Sequence, residues 1–134
     1  MPIGAADKSC AMLTLTLTLT RRTSAMLTDR HVQDIAQRVA AAACSPATVI
    51  VFGSYGRGDA TEDSDLDLLV VEAEVPDHTA EYLRLREAVG LVGIGVDLLL
   101  LPQAEFERRR GWVSSPVYWA AREGRVLHDS GIAG

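Results

Sequence analysis

Val49-Ile-Val-Phe-Gly53-Ser54-Tyr-Gly-Arg57-Gly-Asp-Ala-Thr-Glu-Asp-Ser-Asp65-Leu-Asp67-Leu-Leu-Val-Val71 is the stretch on which the fold turns. A β-branched, apolar run ends at Gly53-Ser54, and ten residues further on Asp65 and Asp67 open a second apolar run. Short apolar runs bounded by Gly and polar residues read as buried strands. A small polar turn able to hold phosphate is thus followed by two carboxylates one strand period apart. Metal-dependent phosphoryl or nucleotidyl transfer requires that layout.

Outward from this stretch, Thr28 to about Ala43 has helical periodicity, with Thr28 as N-cap, Asp29 in the first turn and an apolar stripe of Val32, Ile35, Ala36 and Val39. Ser45-Pro46 ends it, because a residue before proline avoids the helical region. Strands are expected over Ala47–Phe52, Leu66–Val71, Ile94–Leu101 and Arg125–His128. A helix is expected from Asp77-His78-Thr79 to about Val89. A short one should begin at Pro102 and contain Phe106 and Arg108 to Arg110, and another should run from Ser115-Pro116 through Arg122 to a stop at Gly124. The order helix, strand, strand, helix, strand, helix, helix, strand predicts a small α/β (α+β) domain with a mixed β-sheet flanked by helices.

At 134 residues the chain is expected to form one domain over residues 26–134. Residues 13–20 alternate Leu and Thr, a period that suits an amphipathic strand. Residues 1–25 are accordingly either a dispensable, poorly ordered extension or an added edge strand. The net charge of −5, with Lys8 the only lysine, and the lack of a basic stripe with interleaved aromatics exclude a broad nucleic-acid surface. Cys10 and Cys44 are far apart with no CxxC companion, which argues against a disulfide framework or zinc site and for a reducing cytoplasm. No apolar stretch approaches 18 residues, so no membrane span is expected, and Arg21-Arg22 follow the Leu-Thr run, the reverse of a signal peptide.

Several motifs are excluded by spacing. Gly53, Gly56 and Gly58 do not make G-x-G-x-x-G, and no lysine supplies a Walker A loop. Asp63, Asp65 and Asp67 imitate the start of an EF-hand, but Leu68 stands where that loop needs Gly. The positive case is geometric. Asp65 and Asp67, two apart on a strand, project from one face with Cα atoms roughly 6–7 Å apart. Carboxylate oxygens at that spacing are ligands that Mg²⁺ prefers, and they can serve two ions. The glycines allow close backbone approach, Ser54 adds a hydroxyl, and Arg57 offers a fork suited to phosphate, with an ion pair to Asp59 or Asp63 as the competing use. Asp97, a lone charge in Ile94-Gly-Val-Asp-Leu-Leu-Leu-Leu101, is the candidate third acid, expensive to bury without ions; a cap or ion pair is the alternative.

Gly53-Ser54, ten residues, then Asp65-x-Asp67 resembles the signature of the DNA polymerase β-like nucleotidyltransferase superfamily. The short chain, Gly53-Ser-Tyr-Gly-Arg-Gly58, Ser64-Asp-Leu-Asp-Leu-Leu-Val70 and the late Asp97 resemble its minimal nucleotidyltransferase (MNT) group, over about residues 28–129. The resemblance implies that Gly53 and Ser54 hold the β/γ-phosphates of ATP and that Asp65 and Asp67 bind two Mg²⁺. Asp97 would help to bind the catalytic metal and deprotonate the acceptor hydroxyl. It further implies an antitoxin that transfers AMP to a tyrosine of a HEPN-domain toxin protein, in a hetero-oligomer. A small-molecule nucleotidyltransferase of the aminoglycoside-modifying type and a non-catalytic antitoxin acting by binding alone are the competing readings. Of the remaining residues, Tyr55 is expected to pack; Trp112, Tyr118 and Trp119 to pack helices or meet a partner; Arg108 to Arg110 to be solvated; and His31, His78 and His128 to lie at the surface or cap.

Overall fold

The computed structural model describes residues 27–129. The Leu-Thr stretch, the rest of the 1–25 extension and Cys10 lie outside the described residues, so neither reading of that extension is decided. The elements are α1 (Asp29–Ala42), β1 (Ala47–Phe52), α2 (Gly53–Arg57), β2 (Leu66–Glu72), α3 (His78–Val89), β3 (Val96–Pro102), α4 (Gln103–Arg109), α5 (Pro116–Glu123) and β4 (Arg125–Asp129). The sheet order is β3-β2-β1-β4. β1 is antiparallel to both β2 and β4, whereas β2 and β3 are parallel, so the sheet is mixed as expected.

The period-two alternation of the strands sorts the core onto the two faces of the sheet. Val49 and Val51, Leu66, Leu68 and Val70, and Leu98 and Leu100 pack with α1 and α3 residues Val32, Ile35, Val39, Leu85 and Val89. Ile50, Leu69, Val71 and Leu101 pack on the opposite face with Phe106 of α4 and Val117 and Ala120 of α5. Leu68, Leu69, Val70 and Val71 have no exposed surface, so β2 is the central rod of the domain.

Helix starts follow the capping chemistry of the sequence. Thr28 accepts from His31 N, Asp77 from Ala80 N and Ser115 from Val117 N. Three details differ from expectation. Gly53–Arg57, expected as a turn, is a short helix beginning directly after β1, with its own Tyr55 and Gly56 buried. The third strand begins at Val96 instead of Ile94, because Gly95 serves the turn into it and its carbonyl accepts from Leu66 N at 2.9 Å. Pro102 closes β3 and caps α4, which starts one residue later. Tyr55 packs as expected: it is buried, and its hydroxyl accepts from Leu27 N at 3.0 Å.

Candidate active site

The antiparallel register sets Asp67 opposite Phe52, and the parallel register sets it beside Asp97. Register partners on neighbouring strands point to the same side, so Asp67 and Asp97 project together on the face that carries α4 and α5. Asp65 shares their parity but lies one residue before β2, in the exposed connection. The three acids therefore converge where β1 hands over to α2 and where β2 and β3 begin. Asp97 is exposed, not the buried charge that its apolar surroundings suggested, because it stands at the open end of an edge strand. Asp67 is half-buried.

Two glycines make room for the carboxylates. Gly53 has φ +68°, a left-handed conformation that side chains resist, and a Cβ there would collide with Asp67 Oδ2. At Gly95 a Cβ would stand 2.7 Å from Asp65 Oδ1. Gly53, which the sequence marked as a phosphate contact, thus also shapes the seat of Asp67. Gly95 fell inside the strand expected over Ile94–Leu101; nothing in its spacing disclosed that it backs Asp65.

The electrostatics are those of crowded, unneutralised negative charge. Burial, the hydrogen bond and charge of Asp97, and the charge of Asp65 together push the Asp67 carboxyl up to about 6, with Arg57 pulling weakly the other way. Arg57 itself is exposed and pairs with Asp59 (Nε–Oδ2 3.2 Å) and Glu123 (3.6 Å). Of its two expected uses, the ion pair to Asp59 is present. Ser54 lies half-buried in the first turn of α2, and its carbonyl accepts from Gly58 N and Asp59 N, both at 3.0 Å.

A cavity of about 370 Å³ opens over this site, lined by Phe52, Asp67, Asp97, Tyr82 and Arg86 among others. Arg86 is held there by donating to Val96 O at 2.6 Å. Sequence reasoning missed Arg86 and Tyr82, because nothing in the α3 pattern marks which of its polar residues turn toward the strand ends. A larger cavity of about 620 Å³ continues along β3 past His78 and Arg109 but is lined by none of the three aspartates. The chemistry points to the smaller one. His78 faces the larger, its Nε2 2.9 Å from Leu100 O, which is a structural use of the ring.

The described helices include none long and apolar enough to cross a membrane. Comparison with known proteins agrees with the geometry. The family model for the nucleotidyltransferase domain matches residues 30–119, more than half of the chain. The "Protein adenylyltransferase MntA" of Thermococcus cleftensis is 47% identical over 51 residues, covering 37% of this chain and 50% of that protein. The "Putative protein adenylyltransferase MJ0604" of Methanocaldococcus jannaschii is 31% identical over 80 residues, covering 60% of this chain and 76% of that protein. The chain spans about half the length of the first two curated relatives it matches. A toxin–antitoxin crystal structure with AMP-PNP superposes with a TM-score of 0.53 at 18% identity, over 75% of this chain and 80% of that one, which is a likeness of fold. The mixed sheet, the aspartate cluster at the ends of its central strands and the family match lead to one conclusion: the chain belongs to the nucleotidyltransferase domain family.

Proposed function

We propose that this domain is a Mg²⁺-dependent protein adenylyltransferase. It transfers AMP from ATP to a tyrosine hydroxyl of a HEPN-domain toxin and so acts as its antitoxin. The observation that carries the reading is the side-by-side placement of Asp67 and Asp97, with Asp65 beside them and the Gly53-Ser54 turn at the same end of the sheet. The relatives named as protein adenylyltransferases support the choice of a protein acceptor.

The donor set fits a hard divalent cation. Three carboxylates converge, and burial together with their hydrogen bond and mutual repulsion holds one of them well above its ordinary value. Asp65, Asp67 and Asp97 would hold the metal, which when bound neutralises phosphate charge and polarises the phosphoryl oxygens. The remaining work falls to the chain itself. Gly53 and Ser54 position the β/γ-phosphates, and Arg57 and Arg86 supply positive charge at the rim. Asp97, exposed and beside the cavity, takes the proton of the acceptor hydroxyl. The acceptor oxygen bonds to the α-phosphorus as the bond to the β-phosphate oxygen breaks, and pyrophosphate leaves.

The test is transfer from α-labelled ATP with Mg²⁺, using wild type and the Asp65→Asn/Asp67→Asn double variant, with and without the neighbouring gene's product. Label on that product with wild type alone is the expected result. A double variant that neutralises the toxin as well as wild type would replace catalysis by binding. Label on a small molecule and on no protein would replace the protein acceptor.

A further inference from the structure

At the far end of β2 from Asp67, and on the opposite face of the sheet, a second group of acids is buried. Glu72 continues the inward series Leu66, Leu68, Val70 and has no exposed surface. Glu81 lies on the buried stripe of α3 with Leu85 and Val89 and is 3% exposed. Cys44, in the connection between α1 and β1, reaches them from the solvent side. Among the described residues these three are the group of His, Cys, Asp and Glu side chains whose ligand atoms all lie within 4.8 Å of one another.

Their bonding is incomplete. Glu72 Oε1 takes Ser45 Oγ at 3.1 Å and Cys44 Sγ at 3.8 Å. Glu81 accepts from Cys44 N at 3.0 Å and pairs with Arg84. Glu72 Oε2 is fully buried and has no hydrogen-bond partner. Two facing carboxylates can only accept, so either a proton or a cation must stand between them. A buried carboxylate oxygen left bare bears the full desolvation penalty of its charge. With one proton shared, Glu72 keeps it, its carboxyl raised to about 7 by burial and by Glu81, while Glu81 falls below its ordinary value.

We propose that Cys44, Glu72 and Glu81 form a second metal centre, which takes a thiolate-preferring divalent cation of the zinc type. The geometry suits it: Zn–S of about 2.3 Å and Zn–O of about 2.1 Å at a tetrahedral angle put sulfur and oxygen about 3.6 Å apart, close to the 3.8 Å between Cys44 Sγ and Glu72 Oε1. The charges balance as well. A thiolate and two carboxylates carry three negative charges, Arg84 supplies one positive charge, and a divalent ion supplies the other two. The sulfur ligand separates this centre from the all-oxygen one at Asp67, which suits Mg²⁺. Ser45 Oγ and Cys44 N are the outer partners that fix Glu72 and Glu81. Exposed Cys44 leaves an entry path and an open position for water. Bound there, the ion ties the α1–β1 connection, the end of β2 and α3 together.

The test uses the full chain with Cys10→Ser, so that Cys44 is the one thiol, stripped of metal and held in excess Mg²⁺. Titration with Co²⁺ should raise a thiolate-to-cobalt charge-transfer band and strong tetrahedral visible bands that saturate at a single equivalent and vanish on adding Zn²⁺. Cys44→Ser and Glu72→Gln, each with wild-type circular dichroism, should lose these bands, whereas Asp65→Asn/Asp67→Asn should keep them. The absence of a thiolate band with Cys44 intact overturns the proposal. So does a band that survives Glu72→Gln, which would mark a cysteine binding alone. Should Glu72→Gln not fold, the alkylation rate of Cys44 in the parent protein decides: slowing by about tenfold or more with Zn²⁺ supports the centre, because a metal-bound thiolate is masked, and an unchanged rate overturns it.

Discussion

Replacing Asp67 by Asn should make the metal-free domain more stable while abolishing transfer. The carboxyl of Asp67 is held at about 6 against an ordinary 3.8. At about 1.4 kcal/mol per tenfold, that difference corresponds to a ceiling of about 3 kcal/mol of destabilisation by the charged form. Asp67 is only half-buried, so water screens the repulsion, and about 1 kcal/mol is the expected net. The sign follows from linkage: the native state holds the proton more tightly than the unfolded chain, so stability is lost as pH rises from about 4 to about 6 and stays lost above that. Asn carries no charge, and its amide can donate to Asp97. In EDTA at pH 7.5 the variant should therefore melt about 4–8 °C above wild type, the shift expected of 1 kcal/mol in a domain near 100 residues. At pH 5 the gap should be smaller, because wild type then carries part of the proton. Millimolar Mg²⁺ should close the gap at pH 7.5 by raising wild type alone. Thermal unfolding followed by circular dichroism at both pH values measures all of this. A variant that melts below wild type in EDTA at pH 7.5, or a gap that widens on acidification, would refute the reasoning.

Further outcomes follow from the same contacts. Gly95→Ala places a Cβ 2.7 Å from Asp65 Oδ1; transfer should fall by at least about tenfold, as expected of a displaced ligand, while the melting temperature stays near wild type, as steady-state assays with matched melts would record. Leu68→Ala empties a fully buried position in β2 and should cost about 2–5 kcal/mol in urea unfolding, without changing the Mg²⁺ dependence of the folded fraction. In EDTA, wild type should lose stability between about pH 4.5 and pH 7 as Glu72 gives up its proton in the buried pair. Glu72→Gln should flatten that slope, and parallel melt profiles of the two proteins would count against the shared proton.

What the sequence disclosed, and what it withheld, has a physical pattern. The four strands and the caps Thr28, Asp77 and Ser115 were legible, because a period of two and a side-chain oxygen before a helix are local signals. Asp65 and Asp67 were legible because two acids opening a buried strand break its pattern. The helix Gly53–Arg57 was not, since five residues are too few to show a helical stripe. Asp97 was found as an acid in an apolar run, but its exposure and its place beside Asp67 depend on the parallel register, which no local pattern states. Cys44, set aside for want of a nearby cysteine, meets Glu72 and Glu81 only through the fold. One trace of that meeting was present: Glu72 keeps the parity of Leu66, Leu68 and Val70, and Glu81 that of Leu85 and Val89. The acids around Glu72 in Glu72-Ala-Glu74 concealed it as an ordinary strand end.

The two acidic groups are best understood together, through the rod that joins them. Leu68 to Val71 are packed on both faces without exposed surface, so neither end of β2 can move to let its carboxylates separate. Asp67 is fixed beside Asp97, and Glu72 beside Glu81, and burial together with the neighbouring acid raises both carboxyl groups. At the Asp67 end the site opens into a cavity, so on the proposed function the charge is relieved there by a cation that comes and goes with the nucleotide. At the Glu72 end the carboxylates are buried, with Cys44 and Arg84 reaching solvent beside them, so what relieves the charge there is held within the core. An exchangeable cation suits catalysis, and a resident proton or metal suits a structural tie. The same strand therefore keeps one end open to exchange and the other closed.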